Sequence, residues 1–223
     1  MNNQFENTRN FWNEEIPRGN LLIPNDKVII FIKRNFSDKS DIVVLDFGCG
    51  GGRNTVALLN EGYSVVAMDY TESAVQMTKE KCEKIKATEV KVIQNKGLDI
   101  PLDDCSIDAV VADGSLFCVS KEEIVKNISA LKRVMKYDGL IWADFRTKKD
   151  SLFGKGEEIS TNFFRLESGT GREGCSYYFT DEEDLRDIFS LAGLEIISLD
   201  DYSYSENNRE IINSWYHVVA KKN

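Results

Sequence analysis

Short runs of β-branched residues alternate with longer amphipathic segments from Asp41 almost to the C-terminus. The first run is Ile42–Leu45, and glycines and a segment of helical spacing follow it up to Gly62. This alternation is typical of a parallel sheet that is covered by helices on both faces. The sequence therefore predicts an α/β fold, doubly wound around a mostly parallel sheet.

Six further segments have the composition of strands. They are Tyr63–Met68, Val90–Ile93, Ile107–Ala112, Leu140–Phe145, Leu194–Leu199 and Ser214–Ala220. The polar segment 200–209 separates the last two and fits a hairpin connection, so the last strand is expected to run antiparallel. With the first run, these segments predict a seven-stranded sheet.

Helix signals lie between the strand segments. Thr71 can cap one helix, and Thr180 with Glu183 fits a capping box for another that ends at Gly193. The helix that follows Ser120 is expected to place four apolar residues on one stripe: Ile124, Ile128, Leu131 and Met135.

Two stretches lie outside this alternation. Residues 1–40 predict a helical cap with a turn at 17–20. In this cap, Pro24 and Asn25 can open a helix that continues through Phe36. Residues 147–180 show neither helical nor strand period, which predicts an insertion over the sheet edge. At 223 residues the chain suffices for one core, so residues 1–223 are expected to form a single domain.

Composition limits the classes of partner. The chain has 28 Lys and Arg against 37 Asp and Glu, and its net charge of −9 disfavours nucleic acid. We find no secretory signal and no apolar run long enough for a membrane span. Five cysteines without a CxxC pair and one histidine argue against disulfides and against a zinc site. We therefore expect a cytoplasmic protein that needs neither a membrane nor a metal.

A glycine-rich loop, 46–54, follows the first strand directly. Its glycines at alternate positions let the backbone approach a ligand without collisions of Cβ atoms. A dinucleotide-binding loop has the spacing GxGxxG, which would require a third glycine at the position of Arg53. The loop therefore argues against a pyrophosphate site.

The spacing Asp-x-Gly-x-Gly-x-Gly resembles the first motif of class I S-adenosylmethionine-dependent methyltransferases. The resemblance implies S-adenosylmethionine as cofactor and S-adenosylhomocysteine as product, with an acid beside the cofactor's ammonium group. The cofactor contacts that it implies in this loop are Asp46, Gly48, Cys49, Gly50 and Asn54. Residues 48–69 look most like the tellurite-resistance and thiopurine-type methyltransferases.

The same resemblance implies contacts with the nucleoside part of the cofactor. Asp69 ends the second strand, where folds of this kind present an acid to ribose hydroxyls, and Tyr70 follows it. The slot that often contacts adenine falls on Lys96, so this contact is expected from the backbone of Gly97 or Leu98, or from Asp99 in a shifted alignment. Among the aromatic residues of the N-terminal cap, Trp12 can form a lid over the cofactor or pack as part of the core.

Methyl transfer is an in-line displacement that depends mainly on alignment and on exclusion of water. A hydroxyl acceptor also needs a base, and the candidates are Asp113 after the fourth strand and Tyr177 or Tyr178 in the insertion. Asp113 is also a candidate cofactor contact near the methyl group. Arg146, after the fifth strand, and Arg18, in the N-terminal turn, can clamp a carboxylate or phosphate, or can instead form surface salt bridges.

The sequence thus predicts an enzyme that methylates an O, N or S atom of a small molecule, with 147–180 shaping the acceptor pocket. Two alternatives remain: a protein that binds the cofactor without turnover, and a nucleotide-dependent oxidoreductase. We expect a monomer or a homodimer. His217 has no acidic partner nearby in sequence and is not expected to be catalytic.

Overall fold

The computed structural model describes residues 3–18, 22–38 and 41–223, and side chains from residue 7 onward. Part of the turn predicted at 17–20 therefore lies outside the described residues. The helices are α1 (Asn3–Glu15), α2 (Asp26–Asn35), α3 (Arg53–Asn60), α4 (Glu72–Lys84), α5 (Lys121–Val134) and α6 (Glu182–Ala192). The strands are β1 (Val43–Phe47), β2 (Ser64–Asp69), β3 (Val90–Gln94), β4 (Ile107–Ala112), β5 (Met135–Arg146), β6 (Gly156–Ser160), β7 (Phe163–Leu166), β8 (Ser176–Tyr178), β9 (Glu195–Glu206) and β10 (Ile211–Lys221).

Seven strands form one sheet in the order β3-β2-β1-β4-β5-β10-β9. The first five run parallel, while β10 is antiparallel to both β5 and β9. The predicted α/β sheet with an antiparallel last strand is confirmed. The strand order reverses between β1 and β4, and in open α/β sheets ligands bind outside the carboxyl ends of strands at such a reversal.

The central strands are buried on both faces, which explains their nearly continuous apolar sequence. Val44 and Val111 pack on one face against residues of α2 and α3. Leu45 and Val110 belong to a larger cluster on the other face, with residues of α5 and α6. Because both faces are covered, the loops at the carboxyl ends of the strands are the place where the sheet can meet a ligand.

The boundary between α5 and β5 differs from the prediction. Met135 was expected on the helical stripe, but its backbone is extended, with φ −66° and ψ 141°, and it pairs with Ile107 of β4. The Met135 side chain is fully buried, as a residue of the helical stripe would also be. Its apolar character therefore fitted both the end of the helix and the start of a strand, and only the pairing with β4 decides between them.

The N-cap of α6 also differs. Asp181, not Thr180, caps the helix, since its side chain accepts the N–H of Asp184 at 2.9 Å. The N–H and the hydroxyl of Thr180 both donate to the carbonyl of Arg146, which ties this residue to the end of β5. Thr180 is unavailable as a cap because a residue distant in sequence already holds it.

Residues 147–180 contain a second sheet, in the order β6-β7-β8, that the sequence did not predict. Its strands are three to five residues long, too short to show a clear period. Gly156 has φ +126°, and a Cβ there would lie 2.1 Å from the carbonyl oxygen of Arg165. The polar segment 200–209 is likewise mostly strand, because β9 continues to Glu206.

The N-terminal helices pack on the same end of the molecule as the glycine loop. Asn25 caps α2 by accepting the N–H of Lys27 at 3.0 Å, which confirms the predicted start of that helix. The hydroxyl of Thr8 in α1 accepts the N–H of Ser176 in β8 at 3.1 Å, so α1 and the second sheet are in contact. Within the described ranges, no helix combines the length and the apolar composition that a membrane crossing requires.

The capping box of α5 yields a stability prediction. Ser120 accepts the N–H of Glu123, and the Glu123 carboxylate accepts the N–H of Ser120. We expect Ser120→Ala to lower the free energy of unfolding by about 1 kcal/mol, measured by urea denaturation, because an N–H at the helix start loses its partner. Ser129→Ala, at an exposed position within α5, is the control and should cost less. Equal losses in the two variants would contradict the capping role.

Candidate active site

The glycine loop turns sharply between β1 and α3 beneath the end of β2. The N–H groups of Gly48 and Cys49 both donate to the carbonyl of Met68, at 2.8 and 3.0 Å. Gly48 has φ +77°, and a Cβ there would lie 2.4 Å from the Cβ of Ser115. Gly50 has φ +53° and would meet nothing within 4 Å, so the loop is tightly packed at Gly48 and open at Gly50.

Two buried acids flank this open turn. Asp46 is 1% exposed and accepts the hydroxyl of Thr55 at 2.6 Å; burial raises its pKa to about 7, although that hydrogen bond lowers it. Asp69 accepts the N–H of Gly50 at 3.0 Å and both the N–H and the hydroxyl of Thr71. Burial raises the pKa of Asp69 as well. The loop backbone and the predicted ribose acid are therefore bonded to each other.

Asp113 is held by three donors from two other segments. Its Oδ1 accepts the side-chain N–H of Asn25 at 3.0 Å, and its Oδ2 accepts Arg53 at 2.5 Å and Asn54 at 2.8 Å. Arg53 also donates to the carbonyl of Ile23 at 3.0 Å. The Asp113 side chain, only 5% exposed, thus ties the glycine loop to the start of α2. The sequence analysis missed Asn25 and Arg53 as partners of this acid.

Asp144, near the end of β5, is an acid that the sequence analysis did not single out. It is 7% exposed, and its Oδ1 accepts the N–H of Gly114 at 2.6 Å. Burial, and then the negative charge of Asp113, raise the pKa of Asp144 to about 7. The available signal was its position at the carboxyl end of a parallel strand beside Asp113. In the register of the sheet, its antiparallel partner is His217.

His217 lies among rings and acids rather than alone. It stacks on Tyr202 at 5.2 Å between ring centroids and lies 5.1 Å from the ring of Trp142. Burial lowers the pKa of His217, although the negative charge of Asp113 raises it. Asp144 on β5 and Asp200 on β9 are its register partners, so the acidic neighbours that were absent nearby in sequence come from other strands.

The two tyrosines of β8 point to opposite sides, as neighbouring strand residues do. Tyr177 contacts Phe117 edge to face at 5.1 Å and lies 5.6 Å from the guanidinium of Arg146. The hydroxyl of Tyr178 instead donates to Asp184 at 3.3 Å, beside α6. The structure therefore brings Tyr177 and Arg146 together and places Tyr178 elsewhere.

The predicted adenine segment follows β3, next to Asp69. The N–H of Asn95 donates to the carbonyl of Asp69 at 2.9 Å, and Asn95 exchanges hydrogen bonds with Gly97. Gly97 and Leu98 are exposed. Tyr70 is half-buried, and its carbonyl accepts a hydrogen bond from the side-chain amide of Gln94 at 3.2 Å. These residues share the sheet edge on which Asp69 lies.

Three other predicted residues have local partners. The ring of Trp12 contacts Phe11 edge to face, and the guanidinium of Arg172 lies 5.7 Å from it. The thiol of Cys49 lies 3.7 Å from the hydroxyl of Thr78, so it faces α4. Arg18 pairs with acids of its own helical turn. No group of three or more potential metal ligands occurs in the part of the chain that the structure describes.

Residues 44–139 match a family model described as a methyltransferase domain. Relatives and solved structures of the same kind match as well. These matches support the predicted class I S-adenosylmethionine-dependent methyltransferase, with S-adenosylmethionine as cofactor. Its tellurite-resistance or thiopurine-type branch stays a prediction.

Two curated relatives show the range of the family. The tRNA N(3)-cytidine methyltransferase METTL2 of Danio rerio is 28% identical over 162 residues, which cover 68% of this chain and 44% of that protein. The ubiquinone biosynthesis O-methyltransferase of Rickettsia prowazekii (strain Madrid E) is 31% identical over 160 residues, covering 66% and 59%. The methyltransferase chain described here therefore spans about half the length of these two relatives.

Solved structures share the fold. A SAM-dependent methyltransferase of Methanosarcina mazei has a TM-score of 0.72 and 18% identity, over 86% of this chain and 96% of that chain. The magnesium protoporphyrin IX methyltransferase (ChlM) of Synechocystis PCC 6803, with bound SAM, has a TM-score of 0.63 and 17% identity, over 100% and 85%. At 17–18% identity, these similarities support a shared fold and nothing finer.

The tight packing at Gly48 leads to a prediction. We expect Gly48→Ala to lower the free energy of unfolding by at least about 2 kcal/mol, because a side chain at this positive φ is strained and meets Ser115. Gly97→Ala is the matched control, since nothing lies within 4 Å of its added Cβ. Urea denaturation measures both variants. A fully stable Gly48→Ala protein would contradict the described loop.

The buried Asp144 predicts a pH dependence. Its pKa rises from the usual 3.8 to about 7, so the folded protein holds the proton more tightly than the unfolded chain. This contribution to stability is present below about pH 4 and is lost as the pH rises to about 7. Between pH 4 and pH 8, the free energy of unfolding of the wild type should therefore fall, and Asp144→Asn should make this fall smaller by up to about 4 kcal/mol, measured by urea denaturation. Asp103→Asn, at an exposed position, should keep the wild-type slope.

Proposed function

We propose that this protein transfers the methyl group of S-adenosylmethionine to a small-molecule acceptor. The observation that carries the proposal is the open turn at Gly50 between the buried acids Asp46 and Asp69. Backbone can approach a ligand there, and the surrounding field is negative. That combination suits a cofactor with an ammonium and a sulfonium group.

In this proposal each part of the cofactor meets a different strand end. The amino-acid portion lies along the loop, at Asp46, Gly48, Cys49, Gly50 and Asn54. Asp69 accepts the ribose hydroxyls, and the adenine lies between Tyr70 and the backbone of Gly97 and Leu98. Trp12 closes the site from α1, and Asp113 lies on the side of the methyl group.

The same electrostatics disfavour the oxidoreductase alternative. A dinucleotide brings a pyrophosphate with negative charge, which would lie against two acids whose pKa values burial already raises. Arg53, at the position of the missing third glycine, is committed to Asp113 and to the carbonyl of Ile23. No cation of the loop is left for the pyrophosphate.

For a hydroxyl acceptor, we propose Asp144 as the general base. Asp113 accepts hydrogen bonds from three side chains, Asn25, Arg53 and Asn54, so it serves as an anchor. Among the described residues, Asp144 accepts one hydrogen bond, from the N–H of Gly114 to Oδ1, and its pKa of about 7 suits proton transfer at neutral pH. Tyr177 and Arg146 line the adjoining acceptor side, and Tyr178 supports the insertion through Asp184.

Cofactor binding is the first test. Calorimetry should detect S-adenosylmethionine and S-adenosylhomocysteine but not NAD, and Asp69→Asn should weaken S-adenosylhomocysteine at least tenfold, because a charged hydrogen-bond acceptor is lost. Glu72→Gln, an exposed acid three residues along, should bind normally. Binding of NAD alone would favour the oxidoreductase.

Turnover is the second test. The protein is incubated with methyl-labelled cofactor and either a metabolite extract or bulk tRNA, and the labelled product is identified by mass spectrometry. Label in a small molecule supports the proposal. Label in tRNA, which is the substrate named for one relative, would show that the acceptor is a nucleic acid and not a small molecule. Cofactor binding with no labelled product in either arm would favour a non-catalytic binding protein.

A further inference from the structure

Arg146 ends β5 as a cation whose hydrogen-bonding capacity is mostly unused. Its Nη1 donates to Oδ2 of Asp150 at 2.5 Å. Asp150 also accepts the N–H groups of Leu152 and Ser214, at 2.9 and 3.0 Å. The Nε of Arg146 is buried and has no hydrogen-bond partner within the described residues. Asp150 is thus fully engaged, while the guanidinium donates to a single acceptor.

Three rings hold this guanidinium in place. Its carbon lies 4.9 Å from the ring centroid of Trp215, 5.6 Å from that of Tyr177 and 5.9 Å from that of Phe117. Rings stabilise a guanidinium through its faces, whereas its N–H groups donate in its own plane. The rings and Asp150 therefore fix the orientation of Arg146, and the edge formed by Nε and Nη2 has no acceptor among the described residues.

The position of this edge links it to the acceptor. Arg146 lies two residues after Asp144, so the two side chains project from the same face of β5. Asp144 is bonded to Gly114 at the end of β4, whereas the proposed cofactor residues lie at the ends of β1 and β2. The Arg146 edge is thus on the far side of the methyl position from the glycine loop.

We propose that the Nε and Nη2 groups of Arg146 bind a carboxylate of the methyl acceptor. This inference rests on the proposed function, because it names the acceptor class of that site. The two parallel donors match the two oxygens of a carboxylate. A phosphate dianion is disfavoured relative to a carboxylate monoanion, since Asp150 is bonded to Arg146, Asp144 is close enough to interact with its charge, and the chain carries a net charge of −9.

Arg165 provides a matched control. Its Nε is also buried without a partner among the described residues, and its Nη1 pairs with Glu157 at 2.8 Å. Glu157 is exposed, and this pair joins β6 and β7 of the second sheet, whereas Arg146 belongs to the seven-stranded sheet. A variant at Arg165 therefore changes an arginine of similar bonding without touching the proposed site.

The experiment is an NMR titration of protein labelled with ¹⁵N-arginine, in the presence of S-adenosylhomocysteine. The probes are benzoate, benzamide and phenyl phosphate. We expect benzoate to shift the Nε–H signal of Arg146, which is assigned by its contacts to the Trp215 ring. Arg146→Lys should weaken benzoate at least tenfold and leave S-adenosylhomocysteine affinity within twofold. Arg165→Lys should change neither.

Other outcomes overturn the inference. An unshifted Nε–H signal, or equal benzoate affinity in Arg146→Lys, removes Arg146 as the receptor. If benzamide or phenyl phosphate binds at least as tightly as benzoate, a carboxylate is not the group that this site recognises. Should Arg146→Lys fail to fold, the wild-type Nε–H shift with the three probes still decides. If S-adenosylhomocysteine does not bind, the proposed function fails, while the benzoate titration without it still tests Arg146.

Discussion

The carboxylate of Asp113 is the interaction on which the arrangement of the site depends. It joins the end of β4 to Asn25 before α2 and to Arg53 and Asn54 at the start of α3. Three segments that are far apart in sequence therefore meet at one buried charge. Because a buried carboxylate without donors is costly, the loss of any of these donors is expected to destabilise this arrangement.

A row of acids at the carboxyl ends of the parallel strands gives the site its electrostatic character. Burial raises the pKa values of Asp46, Asp69 and Asp144, so the fold bears a cost to hold these groups together. Such clusters of shifted acids are typical of functional sites. In the proposed function, a cationic cofactor would relieve the repulsion among these acids.

The local sequence pattern was sufficient to predict an element wherever its residues are buried in a regular way along the element. The strand at 107–112 and the helix capped by Thr71 appear as predicted, because the strand is buried on both faces and the helix buries one face along its length. The same reasoning failed at Met135 and Thr180. Each of these residues suits two structures, and a hydrogen-bond partner from elsewhere in the chain selects one.

The sequence by itself determined the sheet, its antiparallel last strand and the glycine loop with its acids, since alternation and glycine spacing are local properties. Tertiary structure alone decided which side chains meet there. Asp144 lies beside Asp113 and His217 only because β4, β5 and β10 are neighbours in the sheet. Trp215 reaches Arg146 in the same way. The contacts of Asp144 with His217 and of Arg146 with Trp215 join residues about 70 positions apart, and no local pattern encodes them.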